Sequence, residues 1–217
     1  MLSLPSQRAY WLKKLSNVES RAGFPRETAE QNGSSAGQRH EFGLPEALVE
    51  GLNRLARGSA FLLYAALLSA TKICLYRYSG TGTVVVGSPR RRGPAEFQAI
   101  ENSIAIVTEI RSRISFRECL TQVRENLLEA YLNQDYPLDM VVRDLQLQEG
   151  TSLFDLVVSL EELHGKAGKT PAAATLMWER EAKAIKGTWT FSKDWATPES
   201  VCQYTAQILR ILMGVSP

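Results

Sequence analysis

The chain has 217 residues, of which 44% are hydrophobic, so it can bury the core of one large domain or two small ones. Its formal net charge is only +2 and its acidic and basic residues are mixed, which argues against a nucleic-acid partner. Cys74, Cys119 and Cys202 are far apart within helical patterns and predict free thiols. With no secretory signal at the N-terminus, we expect a cytoplasmic protein.

The N-terminal quarter predicts two amphipathic helices separated by a polar segment. Residues 2–19 form the first helical pattern, and residues 20–39, which have no hydrophobic period, predict a surface linker loop. A short strand is expected at His40–Phe42. Pro45 suits the first turn of a helix whose buried stripe is Leu48, Leu52 and Leu55.

The most apolar stretch, Ala60 to Tyr76, has hydrophobic residues on every side of a helical wheel. Its apolar run before Lys72 is shorter than the roughly 18 to 20 residues of a membrane span, so we expect a core helix and no membrane partner. Glycines then bound the β-branched run Thr83–Val86, which predicts an interior strand followed by a polar loop from Gly87 to Gln98.

Helices and strands continue to alternate in the second half. Ser115 and Glu118 form a capping box at the start of a helix, and Thr197 with Pro198 suits the start of the last one. Further strands are predicted at 104–110, 154–160, 175–178 and 185–191, the last two as a hairpin, and a loop at 165–174. The pattern predicts one α/β domain with a mixed sheet packed with helices.

The residues predict no self-sufficient catalytic or metal site. His40 and His164 have no evident partner and are interpreted as solvated loop residues. No phosphate-binding glycine loop, nucleophile motif or metal-spaced Cys/His set is present in the sequence.

Two polar segments remain open to more than one interpretation. Arg90–Arg92 is a local cationic cluster, either a solvated basic loop or a phosphate-binding site. Asn133–Asp135 precedes Tyr136 and Pro137 and is either a helix end with capping side chains or part of a buried polar junction.

Several motifs in order resemble the C-terminal half of the condensation domains of nonribosomal peptide synthetases, over nearly the whole chain. Arg77–Gly80 (RYSG) with Val86–Pro89 (VGSP) is one specific match. Asn133–Asp139 (NQDYPLD) resembles the family motif (H/N)QD-x-PFE.

The resemblance implies a lobe similar to chloramphenicol acetyltransferase. Condensation domains have two such lobes around a tunnel that phosphopantetheine arms of carrier proteins enter from both ends. The paired histidines and Asp-Gly of the family belong to the N-terminal lobe and are absent here. We therefore expect residues 1–217 to be a C-terminal lobe without the N-terminal catalytic lobe, with no catalytic residue and no bound cofactor.

The sequence also departs from the family pattern. Ile106 stands where the family has an asparagine often directed at the tunnel, and Arg90–Arg92 replaces a small-polar-then-Arg loop. The candidate residues for contact with a carrier protein, its phosphopantetheine or the other lobe are Arg90, Arg91, Arg92, Arg111, Asn133, Gln134, Asp135 and Pro137.

Three functions follow from the resemblance. The first is a non-catalytic platform for an adjoining adenylation domain or a peptidyl carrier protein. The second is half of a split enzyme, in which a separate N-lobe completes amide-bond formation between carrier-bound acyl and aminoacyl groups. The third is a self-associating interaction protein, because a lobe without its partner exposes apolar surface. The amino-acid substrates cannot be predicted.

Overall fold

The computed structural model describes residues 2–16, 18, 23–25, 37–92, 103–147, 152–165 and 172–214. Within these ranges the helices are α1 (Leu4–Leu15), α2 (Glu46–Ala56), α3 (Ala60–Ser79), α4 (Phe116–Leu132), α5 (Leu138–Asp144), α6 (Glu161–His164) and α7 (Pro198–Met213). The strands are β1 (Gln38–Gly43), β2 (Thr83–Pro89), β3 (Ser103–Glu109), β4 (Leu156–Leu160), β5 (Ala174–Arg180) and β6 (Ile185–Phe191).

The strands form one sheet in the order β1-β6-β5-β4-β2-β3. β4 is parallel to both β2 and β5, whereas the pairs β1/β6, β5/β6 and β2/β3 are antiparallel. The predicted α/β class with a mixed sheet packed with helices is therefore confirmed, as is the β5/β6 hairpin. The parallel pairs require crossovers, and the chain from β2 to β4 supplies one that contains α4 and α5.

α3 is the core helix around which α2, α4 and α7 pack. It has 20 residues. Ser59 is its N-cap, and Gly80, its C-cap, has a left-handed backbone (φ 69°). Its length and composition would suffice to cross a membrane, but 72% of its most apolar stretch is buried inside the protein. Since core helices of this kind pass the same test, the burial favours the predicted core role.

Several predicted boundaries differ from the structure. β1 begins at Gln38, inside the predicted linker, and Phe24 of the same range is buried and stacks on Tyr204 with ring centroids 3.8 Å apart. The rest of that range, 20–22 and 26–36, lies outside the described residues. β2 extends to Pro89, three residues into the predicted polar loop, whose residues 93–98 also lie outside the described part.

The strand predicted at 154–160 begins later than expected and is buried throughout. Phe154 lies outside β4, and its ring packs against Gly87. A Cβ at this glycine would overlap with the ring. The alternation of large residues predicted a half-buried strand. It is wrong here because β4 is central in the sheet and both of its faces are covered.

Candidate functional site

The two polar segments singled out in the sequence meet at one end of the sheet. Arg90, at the end of β2, donates from Nη2 to Asp135 Oδ1 at 2.8 Å. The backbone N–H of Arg91 donates to Gln134 Oε1, also at 2.8 Å. The loop Arg90–Arg92, called the arginine loop below, is thus attached to the turn that follows α4.

α1 holds that turn from the other side. Gln7 is buried, and its Oε1 accepts the backbone N–H groups of both Asp135 and Tyr136 at 3.1 Å. Asn133 bonds to other elements: its side-chain amide donates to the carbonyl of Glu129 on α4, and its own backbone carbonyl accepts the indole N–H of Trp11, both at 2.8 Å. Asn133 is therefore a buried junction residue, whereas Gln134 and Asp135 contact the arginines.

The three arginines have different environments. The Arg90 side chain is only 16% exposed and is occupied by its ion pair. Arg91 and Arg92 are exposed, and neither forms an ion pair with a residue that the structure describes.

The remaining two candidates, Arg111 and Pro137, add no charge to this cluster. Arg111 follows β3, and the N–H of Ile110 beside it binds the carbonyl of Gly82 at the start of β2. Because β2 runs seven residues from that end to Pro89, Arg111 and Arg90 are separated by roughly 20 Å of strand. Pro137 is the N-cap of α5 and makes no side-chain capping bond.

His164 is not the solvated loop residue that the sequence predicted. It ends α6, where its Nδ1 accepts the backbone N–H of Leu160 at 3.0 Å and its Nε2 lies 2.8 Å from Tyr131 Oη. Because Nδ1 is an acceptor, the neutral ring carries its proton on Nε2. Desolvation lowers the pKa of His164 to about 3, so the ring stays neutral and has no free lone pair to act as a base.

Ile106 is fully buried. Its neighbour on β3, Thr108, lies on the same face of the strand and accepts a hydrogen bond from Asn126 of α4. The Ile106 side chain therefore packs under the helices. Its carbonyl accepts the buried amine of Lys72 at 2.6 Å, a contact for which the sequence offered no signal.

A cleft of about 770 Å³ lies between α1 and α4 beside β3. It is bordered by charges of both signs, among them Lys13, Lys14, Glu109 and Glu129, and it does not include the arginine loop. Lys14 donates to Glu129 at 3.1 Å across it. In the described part of the chain, no group of three or more His, Cys, Asp or Glu could hold a metal ion.

The family model for the condensation domain matches residues 3–193. The chain belongs to the condensation-domain family. Among relatives, it is 32% identical over 173 residues to gramicidin S synthase 2 of Brevibacillus brevis, covering 74% of this chain. It is 30% identical over 238 residues to tyrocidine synthase 3 of Brevibacillus parabrevis, covering 96% of this chain.

Solved condensation-type structures share the fold. The X-domain from teicoplanin biosynthesis superposes with a TM-score of 0.83 at 14% identity, covering 99% of this chain and 55% of that one. The starter condensation domain of rhizomide synthetase gives 0.77 at 18% identity, covering 98% and 52%. This condensation-domain chain thus spans about half of those solved chains, and only 4% of each of the two synthases.

Proposed function

We propose that this chain is the C-terminal lobe of a condensation domain and that it acts, by itself, as a non-catalytic docking lobe for a carrier protein. Coverage of about half of each of these two solved chains supports this assignment, because the resemblance implies a domain of two lobes. The neutral, fully bonded His164 has no lone pair free to act as a base, which agrees with a non-catalytic role. The three free cysteines fit a cytoplasmic location.

The observation that supports the docking role is that the three arginines of the arginine loop differ in their contacts. Arg90 is held by Asp135, while Arg91 and Arg92 are exposed. Two exposed guanidinium groups suit an anion, and phosphate is the anion of a phosphopantetheine arm.

Binding to a carrier protein with and without its phosphopantetheine arm tests this role. We expect the double variant R91A/R92A to bind the holo carrier protein about tenfold more weakly, with a smaller salt dependence. The matched control is R113A/R117A, which removes the same charge from two exposed arginines near the start of α4, neither of them a candidate contact residue. Equal affinity of R91A/R92A and the native chain would contradict the proposal.

The comparison of apo and holo carrier protein identifies what the arginines contact. If they bind the phosphate of the arm, R91A/R92A loses the preference for the holo form. If they bind acidic side chains of the carrier protein, the variant weakens both forms equally. An effect of R113A/R117A as large as that of R91A/R92A would indicate a diffuse charge effect and not a site.

The split enzyme is the second proposed function. It is favoured by the apolar surface of the lone lobe, where Leu4 is 54% and Leu128 is 49% exposed. Light-scattering mass of the chain mixed with a separately expressed N-lobe, followed by a condensation assay, tests it. A stable complex that yields dipeptidyl product supports the split enzyme, whereas a concentration-dependent mass of the chain alone supports self-association.

An adenylation domain is the other partner proposed for the platform. One structural neighbour, at a TM-score of 0.78 and 18% identity, is a four-domain nonribosomal peptide synthetase bound to AMP and glycine. Another is the X-domain in complex with OxyB from teicoplanin biosynthesis. Both support a role in which this fold serves as a surface for other proteins.

A further inference from the structure

A chain of hydrogen-bonded side chains lies beneath the arginine loop. Tyr64 of α3 is fully buried, and its hydroxyl lies 2.8 Å from Ser88 Oγ on β2 and donates to the carbonyl of Val158 at 2.9 Å. Ser88 Oγ also lies 3.5 Å from Nε2 of His164, which ends α6. The same Nε2 lies 2.8 Å from the hydroxyl of Tyr131 on α4. Four separate elements are thus joined by one continuous polar chain.

Both ends of this chain are anchored on β4. At one end Leu160 donates its N–H to His164 Nδ1, so His164 must donate from Nε2 to Tyr131. At the other end Val158, two residues earlier in β4, accepts from Tyr64. Every member has a partner in a low-dielectric environment, where hydrogen bonds are strong and the loss of one partner is costly.

Both ends of the arginine loop lie next to members of this network. Ser88 directly precedes Pro89, and Ser88 Oγ lies 3.0 Å from the Pro89 carbonyl oxygen. At the far end, the N–H of Arg92 donates to the carbonyl of Leu163, the residue before His164, at 3.2 Å. A Cβ at Gly165 would lie 2.9 Å from Arg92 Nε, so the arginine side chain rests on the backbone that follows His164.

We propose that His164, Tyr131, Ser88 and Tyr64 position the backbone of Arg91 and Arg92 for binding an anionic partner. The inference rests on the proposed docking function, and it names positioning residues because none of the four contacts the partner. His164 donates a hydrogen bond from Nε2 as a neutral ring, and its bond to the N–H of Leu160 fixes the orientation of that ring. A loop ordered in advance loses less conformational entropy on binding than a disordered one.

Amide hydrogen exchange of Arg91 and Arg92 in the whole chain tests the positioning directly. Both amides are hydrogen-bonded, to Gln134 and Leu163, only when the loop is held against the rest of the fold. In Tyr131→Phe we expect their exchange to be at least about tenfold faster, beyond any change in global stability. Tyr78→Phe is the control. It also removes a phenol oxygen, but near the C-terminal end of α3, outside the hydrogen-bonded chain. Loop protection that changes no more than global stability does would overturn the inference.

Two substitutions of His164 separate the link to Tyr131 from the link to Leu160. His164→Gln can place a donor where Nε2 lies, whereas His164→Asn can replace only the acceptor Nδ1. We expect the Gln variant to retain the protection of Arg91 and Arg92 and the Asn variant to lose it. Equal protection in the two variants would mean that the bond to Tyr131 does not position the loop.

Binding measurements distinguish failure of this inference from failure of the proposed function. If R91A/R92A weakens binding of the holo carrier protein and Tyr131→Phe does so by about threefold or more, the docking function and the positioning role are both supported. If the arginine variant weakens binding and Tyr131→Phe does not, the positioning role is overturned. If R91A/R92A has no effect, the docking function fails, while the exchange data still decide whether the network orders the loop.

Discussion

The amide oxygen of Gln7 accepts the backbone N–H of Asp135 at 3.1 Å, although the two residues are 128 positions apart. The same oxygen also accepts the N–H of Tyr136. One buried side chain of α1 therefore satisfies two donors of the turn that contacts the arginine loop. The position of that turn depends on α1, which is distant from it in sequence.

Gln7→Ala would leave both N–H groups without their acceptor in a buried place. We expect a loss of about 2–3 kcal/mol in the free energy of unfolding, measured by urea denaturation. Gln122→Ala on α4 is a matched control whose side chain is only partly buried, and we expect it to change stability by less than about 0.5 kcal/mol. A Gln7 variant as stable as that control would show that the turn finds other acceptors.

The ion pair between Arg90 and Asp135 is more enclosed than the surface pairs of this chain. Its side chains are 16% and 29% exposed, against 53% for both partners of Lys186–Glu181. A double-mutant cycle with Arg90→Ala and Asp135→Ala should give a coupling of about 1 kcal/mol, and the cycle on Lys186–Glu181 about 0–0.5 kcal/mol. Similar couplings for the two pairs would argue against a structural role for Arg90.

Local chemistry predicted many elements correctly, because its causes lie within a few residues. Ser115 and Glu118 form the expected capping box, and Thr197 caps α7 ahead of Pro198. The glycine after α3 has the left-handed backbone that ends a helix. These features require no knowledge of the tertiary structure.

Contacts between distant segments could not be predicted in this way. His164 was interpreted as solvated because its partner Tyr131 is 33 positions away and its neighbour Ser88 is 76 positions away. The sequence did single out Arg90 and Asp135, but not their pairing, since that depends on where β2 ends relative to α4. The linker prediction likewise missed Phe24, whose aromatic partners come from α3 and α7.

Acid should reveal the neutral state of His164. Desolvation lowers its pKa to about 3 from an ordinary value of 6.5. Between these values the unfolded chain binds a proton that the folded chain does not, so the stabilisation is complete above pH 6.5 and is lost progressively as the pH falls to 3. From pH 7 to pH 5 we expect the native chain to lose about 1–2 kcal/mol more stability than His164→Gln does.

Urea unfolding of both proteins at the two pH values measures this difference. The carboxyl groups common to the native chain and His164→Gln cancel in the comparison. A parallel loss of stability in the two proteins would mean that His164 is protonated in the folded state, and the assignment of its Nε2–H form would fail.

Lys72 should reduce the stability of the fold at neutral and acidic pH. It is completely buried, its amine donates to the carbonyls of Val84 and Ile106, and desolvation lowers its pKa to about 7 from 10.5. Between these values the unfolded chain holds the proton and the folded chain releases it. Stability therefore rises with pH from 7 to 10.5 and is lowest where both states are charged.

Lys72→Met keeps the length of the side chain and removes the charge. Because Ile110 bonds to Gly82, the antiparallel register makes both carbonyls part of hydrogen-bonded strand pairs, so they keep those partners in the variant. At pH 6 we expect the variant to be more stable by about 1–3 kcal/mol, with an advantage that shrinks towards pH 10. If Lys72→Met is instead less stable at pH 6, the two carbonyl bonds outweigh the cost of burying the charge, and the amine holds β2 against β3.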